Sequence, residues 1–291
     1  MAKRSKTPKD TTAPPAKRPR KSIGREVREL WDTLVLAFVL VTLMKTFIVD
    51  LYKIPTGSMT PTLIGDHIRW QDFDDDGDED LLLIRLDPSG HRLIAQQVFI
   101  RGDDGLLRCE TDDHRALHLR RSLFTFSSNE LEMRFDRILV NKLWYWFFPA
   151  RRGDIVVFKL PDREDPVHPG QSLFDPLTPF YIKRLAALGG EVPAIDDEGH
   201  LLINGEIVTE PEVFTHNHYF NTELVPNGRG GIAHRPLRYL GTTVPDGEFY
   251  VFGDNSGNSL DSRYWGGVEL DRLRGRAFMR YWPPSQIGLL D

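Results

Sequence analysis

Apolar residues run almost unbroken from Leu30 to Tyr52, LWDTLVLAFVLVTLMKTFIVDLY, and beyond Asp50 they fall into short stretches cut by glycine, proline and charge. Thr33–Val49 is 17 residues with one charge, Lys45, which reaches the lower end of the roughly 17–25 residues a spanning helix needs. Trp31 and Tyr52 stand at the two ends, where amphipathic rings favour a membrane interface, and Lys45 is close enough to one end to snorkel. A buried core helix would carry the same pattern and stays open as the alternative. A cleaved signal peptide fits less well, because no small-x-small site follows the apolar run.

The period then changes. RGDIVVFKL (Arg152–Leu160), GEFYVFGD (Gly247–Asp254) and GRAFMRYW (Gly275–Trp282) predict strands entered through turns. HLLINGEIV (His200–Val208) predicts a hairpin about Asn204-Gly205, a pair suited to a turn with positive φ. Strands punctuated by glycine and proline predict a mainly β, antiparallel body. The expected organisation is a basic tail (1–29), a transmembrane anchor (30–51) and a body (52–291), with a smaller β unit at 191–245 and an insertion at 69–135. Neither 69–135 nor 211–245 offers an evident chemical constellation.

Charge sharpens this order. Eight basic residues and one acid in residues 1–21 carry +7, leaving −12 on the rest of a chain whose net charge is −5. A proline-studded basic tail cannot pack a core and is expected to be disordered. Beside an apolar helix it marks the cytoplasmic side by the positive-inside rule, so nucleic acid is not the expected partner. The expected topology is a single pass with the body outside. One cysteine, Cys109, rules out an intrachain disulfide.

Several motifs fail on inspection. In the acidic run Asp72–Asp80, Asp72, Asp74, Asp76 and Gly77 match positions of an EF-hand loop, but Leu83 stands where a bidentate Glu is needed. The run reads as a solvated loop. His114 and His118 are spaced as zinc ligands, yet Arg115 replaces the glutamate of a zinc protease helix. Gly228, Gly230 and Gly231 lack the context of a phosphate loop, and Arg152-Gly153-Asp154 reads as a turn entering a strand. No metal or cofactor is expected.

Three stretches remain. IPTGSMTPTL (Ile54–Leu63) sets Ser58 among small residues and tight turns where the apolar segment ends. A serine hydroxyl needs a base, and Pro61 at the third position after Ser58 excludes a local S-x-x-K pair. Lys183, among Phe180, Tyr181, Ile182 and Leu185, would be desolvated and held partly neutral, which suits a general base. The alternative is an exposed Lys-Arg pair, the commoner fate of lysine. GDNSGNSLDSRYWG (Gly253–Gly266) concentrates short polar side chains that hydrogen-bond backbone and could hold such a lysine in one rotamer.

Taken in order, Ile54–Leu63, Asp136–Lys142 (DRILVNK), Arg152–Phe158 with Tyr181–Arg184 (YIKR), and Gly253–Gly266 resemble the motifs of type I signal peptidase. The resemblance implies an antiparallel β catalytic body behind one transmembrane helix. It implies a Ser58–Lys183 dyad acting through an acyl-enzyme, with the oxyanion held by the Ser58 N–H and the Thr56 hydroxyl. Ser259 would orient Lys183, Asp261 and Arg263 would pair to hold the loop with Asp254 and Asn255, and Met59 would border the substrate pocket. The implied partners are preproteins, cut after Ala-x-Ala-like ends, and the bilayer of a bacterial plasma membrane. This chain departs from the family pattern at Ser256-Gly257, where a charged pair is usual, and in residues 69–135, which separate segments that usually lie close. Two other readings stay open: a Ser–Lys self-cleaving regulator on a related fold, and a scaffold without activity.

Overall fold

The computed structural model describes residues 23–86, 93–109, 131–160, 180–226 and 232–290. Most of the basic tail, the His114/His118 pair and the glycines at 228, 230 and 231 lie outside the described residues. The chain divides into two units, Met1–Lys45 and Thr46–Asp291.

Helix α1 (Ile23–Leu43) lies in the first unit, and a π-helical turn, Met44–Ile48, follows it across the boundary. Gly24–Ile48 is long and apolar enough to cross a membrane, and its most apolar window buries nothing within the protein. Thr33 and Thr42 donate their hydroxyls to Glu29 O (2.8 Å) and Phe38 O (2.7 Å), so these polar groups are satisfied within the helix. The helix stops at Ile48, short of the apolar run's end. Val49–Lys53 is strand β1 instead, because its backbone pairs in register with β7 (Arg137–Asn141).

The second unit is mainly β and antiparallel, as the turn and strand signals predict. Its largest sheet runs β1–β7–β17 (Leu273–Trp282)–β8 (Ile155–Lys159)–β9 (Phe180–Leu188)–β15 (Glu248–Phe252)–β16 (Val268–Glu269), with β18 (Gly288–Leu289) beside β17. β1 and β9 are four places apart in this order, yet Tyr52 and Phe180 meet edge to face at 5.8 Å. The sheet therefore curls back on itself. One apolar cluster, with Ile54, Met59, Leu63, Ile138, Val140 and Ile155, lies under the serine loop. A second, with Val156, Phe158, Leu185, Phe249 and Trp265, lies against the 253–266 loop.

The 69–135 segment forms most of a sheet of its own, β5 (Leu107–Cys109)–β4 (Leu93–Arg101)–β3 (Asp80–Leu86)–β2 (Gly65–Gln71)–β6 (Glu132–Phe135). It leaves and returns at one point, for Gly65 pairs with Phe135. Such an excursion interrupts the sequence without separating its flanks. The acidic run closes the β2–β3 turn: Asp72 accepts from Asp75 and Gly77 N–H, and Asp80 from Phe73 and Arg101 N–H.

Within 191–245, β10 (Pro193–Ile195), β11 (Leu201–Ile203) and β12 (Glu206–Ile207) form a small sheet, and β13 (Thr222–Pro226) pairs with β14 (Ile232–Pro236). The β11–β12 turn is Asn204-Gly205, both at positive φ (54° and 87°). Leu201, Phe214 and Tyr219 share one core cluster with Ala186, Ala187 and Phe252 of the large sheet, so this unit has no core apart from the body.

Asp136 ties these parts together. Its C=O accepts from Ile54 N–H (2.9 Å) and its N–H donates to Ile64 O (2.8 Å), joining both ends of the serine loop. Its fully buried carboxylate accepts from Ile64 N–H (3.0 Å), Arg134 Nε (3.0 Å) and Arg280 Nη1 (3.1 Å). Removing one partner of a buried ion pair strands the others. Asp136→Ala is therefore expected to cost about 3–5 kcal/mol in chemical denaturation, and an unchanged midpoint would show that the loop closes without this carboxylate.

Candidate active site

Ser58 sits in a loop whose ends Asp136 pins and whose interior turns tightly. Thr60 N–H donates to Gly57 O (3.2 Å) and Leu63 N–H to Met59 O (2.8 Å). A Cβ on Gly65 would lie 2.5 Å from Ile54 O and 2.6 Å from Thr56 N, backbone atoms that cannot move aside. Glycine is required there. Lys183 comes from β9, opposite Val156 of β8, and is 5% exposed. Its Nζ lies 2.5 Å from Ser58 Oγ.

Burial dominates the electrostatics of this amine. Loss of hydration lowers the Lys183 pKa from 10.5 to about 8, while the carboxylates of Asp261 and Asp254 pull the other way. Near pH 8 about half the amines are therefore neutral, and a neutral amine beside a serine hydroxyl can accept its proton. Thr56 Oγ1 is 3.3 Å from Ser58 Oγ, a contact in which either hydroxyl can donate, and the Ser58 N–H has no acceptor among the described residues.

The loop after β15 lies against the serine turn. Asp254 takes two bonds from Arg184 (Nε and Nη2, each 2.8 Å), the residue beside Lys183 on β9. Arg184 also donates to Gly153 O (2.8 Å), which makes the Arg-Gly-Asp turn part of the frame. Asp261 takes two bonds from Arg263 (Nε and Nη2, each 2.8 Å), and both residues are fully buried. Ser256 accepts from Arg263 Nη1 and from Phe220 N–H (2.9 Å), so a hydroxyl braces the loop where the family pattern has a charged pair. Asn255 holds the serine turn directly, by N–H to Ser58 O (3.1 Å) and Nδ2 to Gly57 O (3.0 Å).

Two residues behave differently from what the resemblance implies. The Ser259 hydroxyl donates to Asp261 Oδ2 (2.7 Å) and makes no hydrogen bond to Lys183, so any orienting effect passes through packing and Asp261. Met59 is 1% exposed within the core cluster, which makes it a floor under the serine turn rather than a rim. Asp136, Arg184, Asn217 (Nδ2 to Asp254 Oδ1, 3.2 Å) and Gln97, bonded to Asn255, gave no sequence signal of their own beyond the DRILVNK and YIKR motifs. Asp196, Glu198 and His200 also gather their side-chain oxygens and nitrogen, with Glu198 exposed.

Gly253 lies at the centre of this packing. A Cβ there would stand 2.5 Å from Ser58 O and inside the Ser259 side chain. Gly253→Ala is expected to shift the serine turn and lower turnover at least ~10²-fold, since displacements of about 1 Å cost that much. Full activity in this variant would show that the loop and the turn are not in the contact described.

Residues 124–282, more than half of the chain, match the family described as signal peptidase, peptidase S26. That span includes Lys183 and the 253–266 loop but not Ser58, which the inserted sheet separates from it in sequence. The chain is similar to the signal peptidase I of Leptolyngbya laminosa (35% identity over 158 residues, 53% of this chain and 64% of that one). It is similar to the signal peptidase I of Bacillus caldolyticus (32% over 150 residues, 52% and 71%). It also resembles a probable signal peptidase I-2 of Synechocystis sp. (32% over 155 residues, 53% and 59%). The chain spans about three fifths of the length of the Synechocystis and Leptolyngbya relatives. Because that family model matches more than half of the chain and relatives above 30% identity carry the same name, the chain belongs to the signal peptidase family, peptidase S26.

Proposed function

We propose that this protein is a membrane-anchored serine endopeptidase that removes signal peptides from exported preproteins, cutting after Ala-x-Ala-like ends. The observation that carries the reading is the 2.5 Å contact between Ser58 Oγ and a buried Lys183 Nζ. Ser58 gives its proton to Lys183 and its oxygen attacks the scissile carbonyl carbon. The oxyanion is held by the Ser58 N–H and the Thr56 hydroxyl. Lys183 then passes the proton to the leaving amine, which leaves an ester on Ser58. A water gives a proton to Lys183 and attacks that ester, and Lys183 passes the proton to the Ser58 oxygen as the leader departs with a new C-terminal carboxyl group.

Substrate binding follows from the sheet. β1 is an outer strand paired with β7 alone, and β15 pairs with β9 only from Arg184 onward. An extended peptide can add along these edges beside the dyad, as peptides do to exposed strands. Gly24–Ile48 would cross a bacterial plasma membrane once, the basic tail cytoplasmic and the body outside. The short helix α2 (Trp144–Phe147), two residues after Lys142 whose N–H donates to Ile48 O, exposes Trp146 (79%) and Phe147 (73%). Aromatic side chains there suit the level of the headgroups. No cofactor takes part, because lysine supplies the base.

Two measurements test this reading. Detergent-solubilised wild type is expected to release a mature preprotein whose new N-terminus follows the second small residue, with Ser58→Ala and Lys183→Ala each slower by at least ~10³-fold. Equal cleavage by either variant would remove that residue from the chemistry. The kcat/KM profile is expected to fall on the acid side with a midpoint of about 8, because the neutral amine is lost as pH drops below that value. A flat profile between pH 6 and about 9 would contradict a lysine base.

A further inference from the structure

The inserted sheet carries a polar residue where its pattern calls for an apolar one. On β3 and β4, Leu83 stands opposite Gln97 and Leu81 opposite Phe99, so these four side chains share a face. Leu81, Leu83 and Phe99 bury themselves against Ile64 and Ile68, next to the serine loop. Gln97, on that apolar face, is 8% exposed. A buried carboxamide without partners is costly, so its partners decide why it is there.

Those partners are in the active site. Gln97 Nε2 donates to Asn255 Oδ1 (2.8 Å) and Asn255 Nδ2 donates back to Gln97 Oε1 (2.6 Å). A weaker contact reaches Cys109 Sγ at 4.0 Å. The second Nδ2 hydrogen of Asn255 goes to Gly57 O (3.0 Å), and its backbone N–H goes to Ser58 O (3.1 Å). An asparagine amide can turn over by half a rotation, which would aim its oxygen at the Gly57 carbonyl. The reciprocal pair with Gln97 specifies one orientation, since each end of one amide meets the opposite end of the other. Leu83 adds a steric hold, for a Cβ on Gly57 would lie 2.7 Å from Leu83 Cδ2.

We propose that Gln97 is a positioning residue for Ser58, acting through Asn255, so that the sheet inserted between the serine loop and β7 is part of the catalytic apparatus. This rests on the endopeptidase reading of Ser58 and Lys183. Through Asn255, Gln97 keeps the Gly57 and Ser58 carbonyls turned into the 253–258 loop, which leaves the Ser58 N–H directed the opposite way along the turn. Loss of that hold should slow acylation without changing how the peptide binds.

The test compares wild type, Gln97→Leu, Asn255→Ala and the double variant as full-length protein in detergent. For Gln97→Leu, kcat on a preprotein is expected to fall ~10–100-fold with KM within about twofold, and the double variant to be no slower than Asn255→Ala alone. Independently of activity, hydrogen exchange of peptides covering 55–60 and 253–258 is expected to speed up ~10-fold, with β8 and β17 unchanged. Unchanged kcat, losses that add to those of Asn255→Ala, or unchanged exchange in both peptides would each overturn the proposal. If wild type leaves the preprotein uncut, the endopeptidase reading falls, and the exchange result still decides whether Gln97 holds the turn. If Gln97→Leu does not fold, Gln97→Glu keeps the shape and the acceptor while removing the donor to Asn255 Oδ1. Faster exchange in the same two peptides then supports the proposal, and wild-type exchange overturns it.

Discussion

A lysine amine almost wholly withdrawn from water is the constraint on which the rest of this structure depends. An ammonium in such a place is costly, and it becomes tolerable only as the proton becomes easier to lose. That same cost makes the amine useful beside Ser58. The neighbouring carboxylates set how far the effect goes: Asp261 and Asp254 stabilise the charged form, and each is itself held by an arginine. The positive charge of Arg263, paired with Asp261, opposes the two carboxylates and favours the neutral amine, so that pair tempers the field at Lys183 as well as shaping the loop.

Geometry imposes the second constraint. Lys183 rides on a central strand and Ser58 on a loop after an outer one, so the curl of the sheet brings them together and the loop must then be held. Asp136 closes the loop at its base through two main-chain bonds, a third from Ile64 N–H to its carboxylate, and contacts with the guanidiniums of Arg134 and Arg280. Asn255 holds its tip. Gly65 and Gly253 are positions where any side chain would collide with backbone of the serine loop. Few atoms of the loop are left to move, which is what attack by one hydroxyl along one line requires.

Much of this could be read from local pattern. The Asn204-Gly205 turn, the strands about Ile155–Lys159 and Leu273–Trp282, and the apolar helix announce themselves by period and turn chemistry. The Ser58, Lys183 and 253–266 stretches stand out because short polar residues are dense there. The rest depends on contacts distant in sequence. Val49–Lys53 looks like the end of an apolar helix until β7 offers it a pairing partner. Gln97 looks like any polar strand residue, because its reason for burial lies 158 positions away. The packing of Met59 under the serine loop and the bond from Ser259 to the Asp261 carboxylate likewise depend on neighbours that the fold supplies. Residues 69–135 carried no signal of purpose, since their ends meet at Gly65 and Phe135 and their effect is felt at Asn255.

The most direct test of the dyad is to trap the covalent step. Wild type and Lys183→Ala would be mixed with an Ala-x-Ala peptide ester, quenched within one turnover, digested, and mapped by mass spectrometry. The account predicts an acyl group on Ser58 in wild type, forming faster as pH rises through about 8, and none in Lys183→Ala within the same interval. An acyl group on another residue, or one forming on Ser58 equally fast without Lys183, would contradict it.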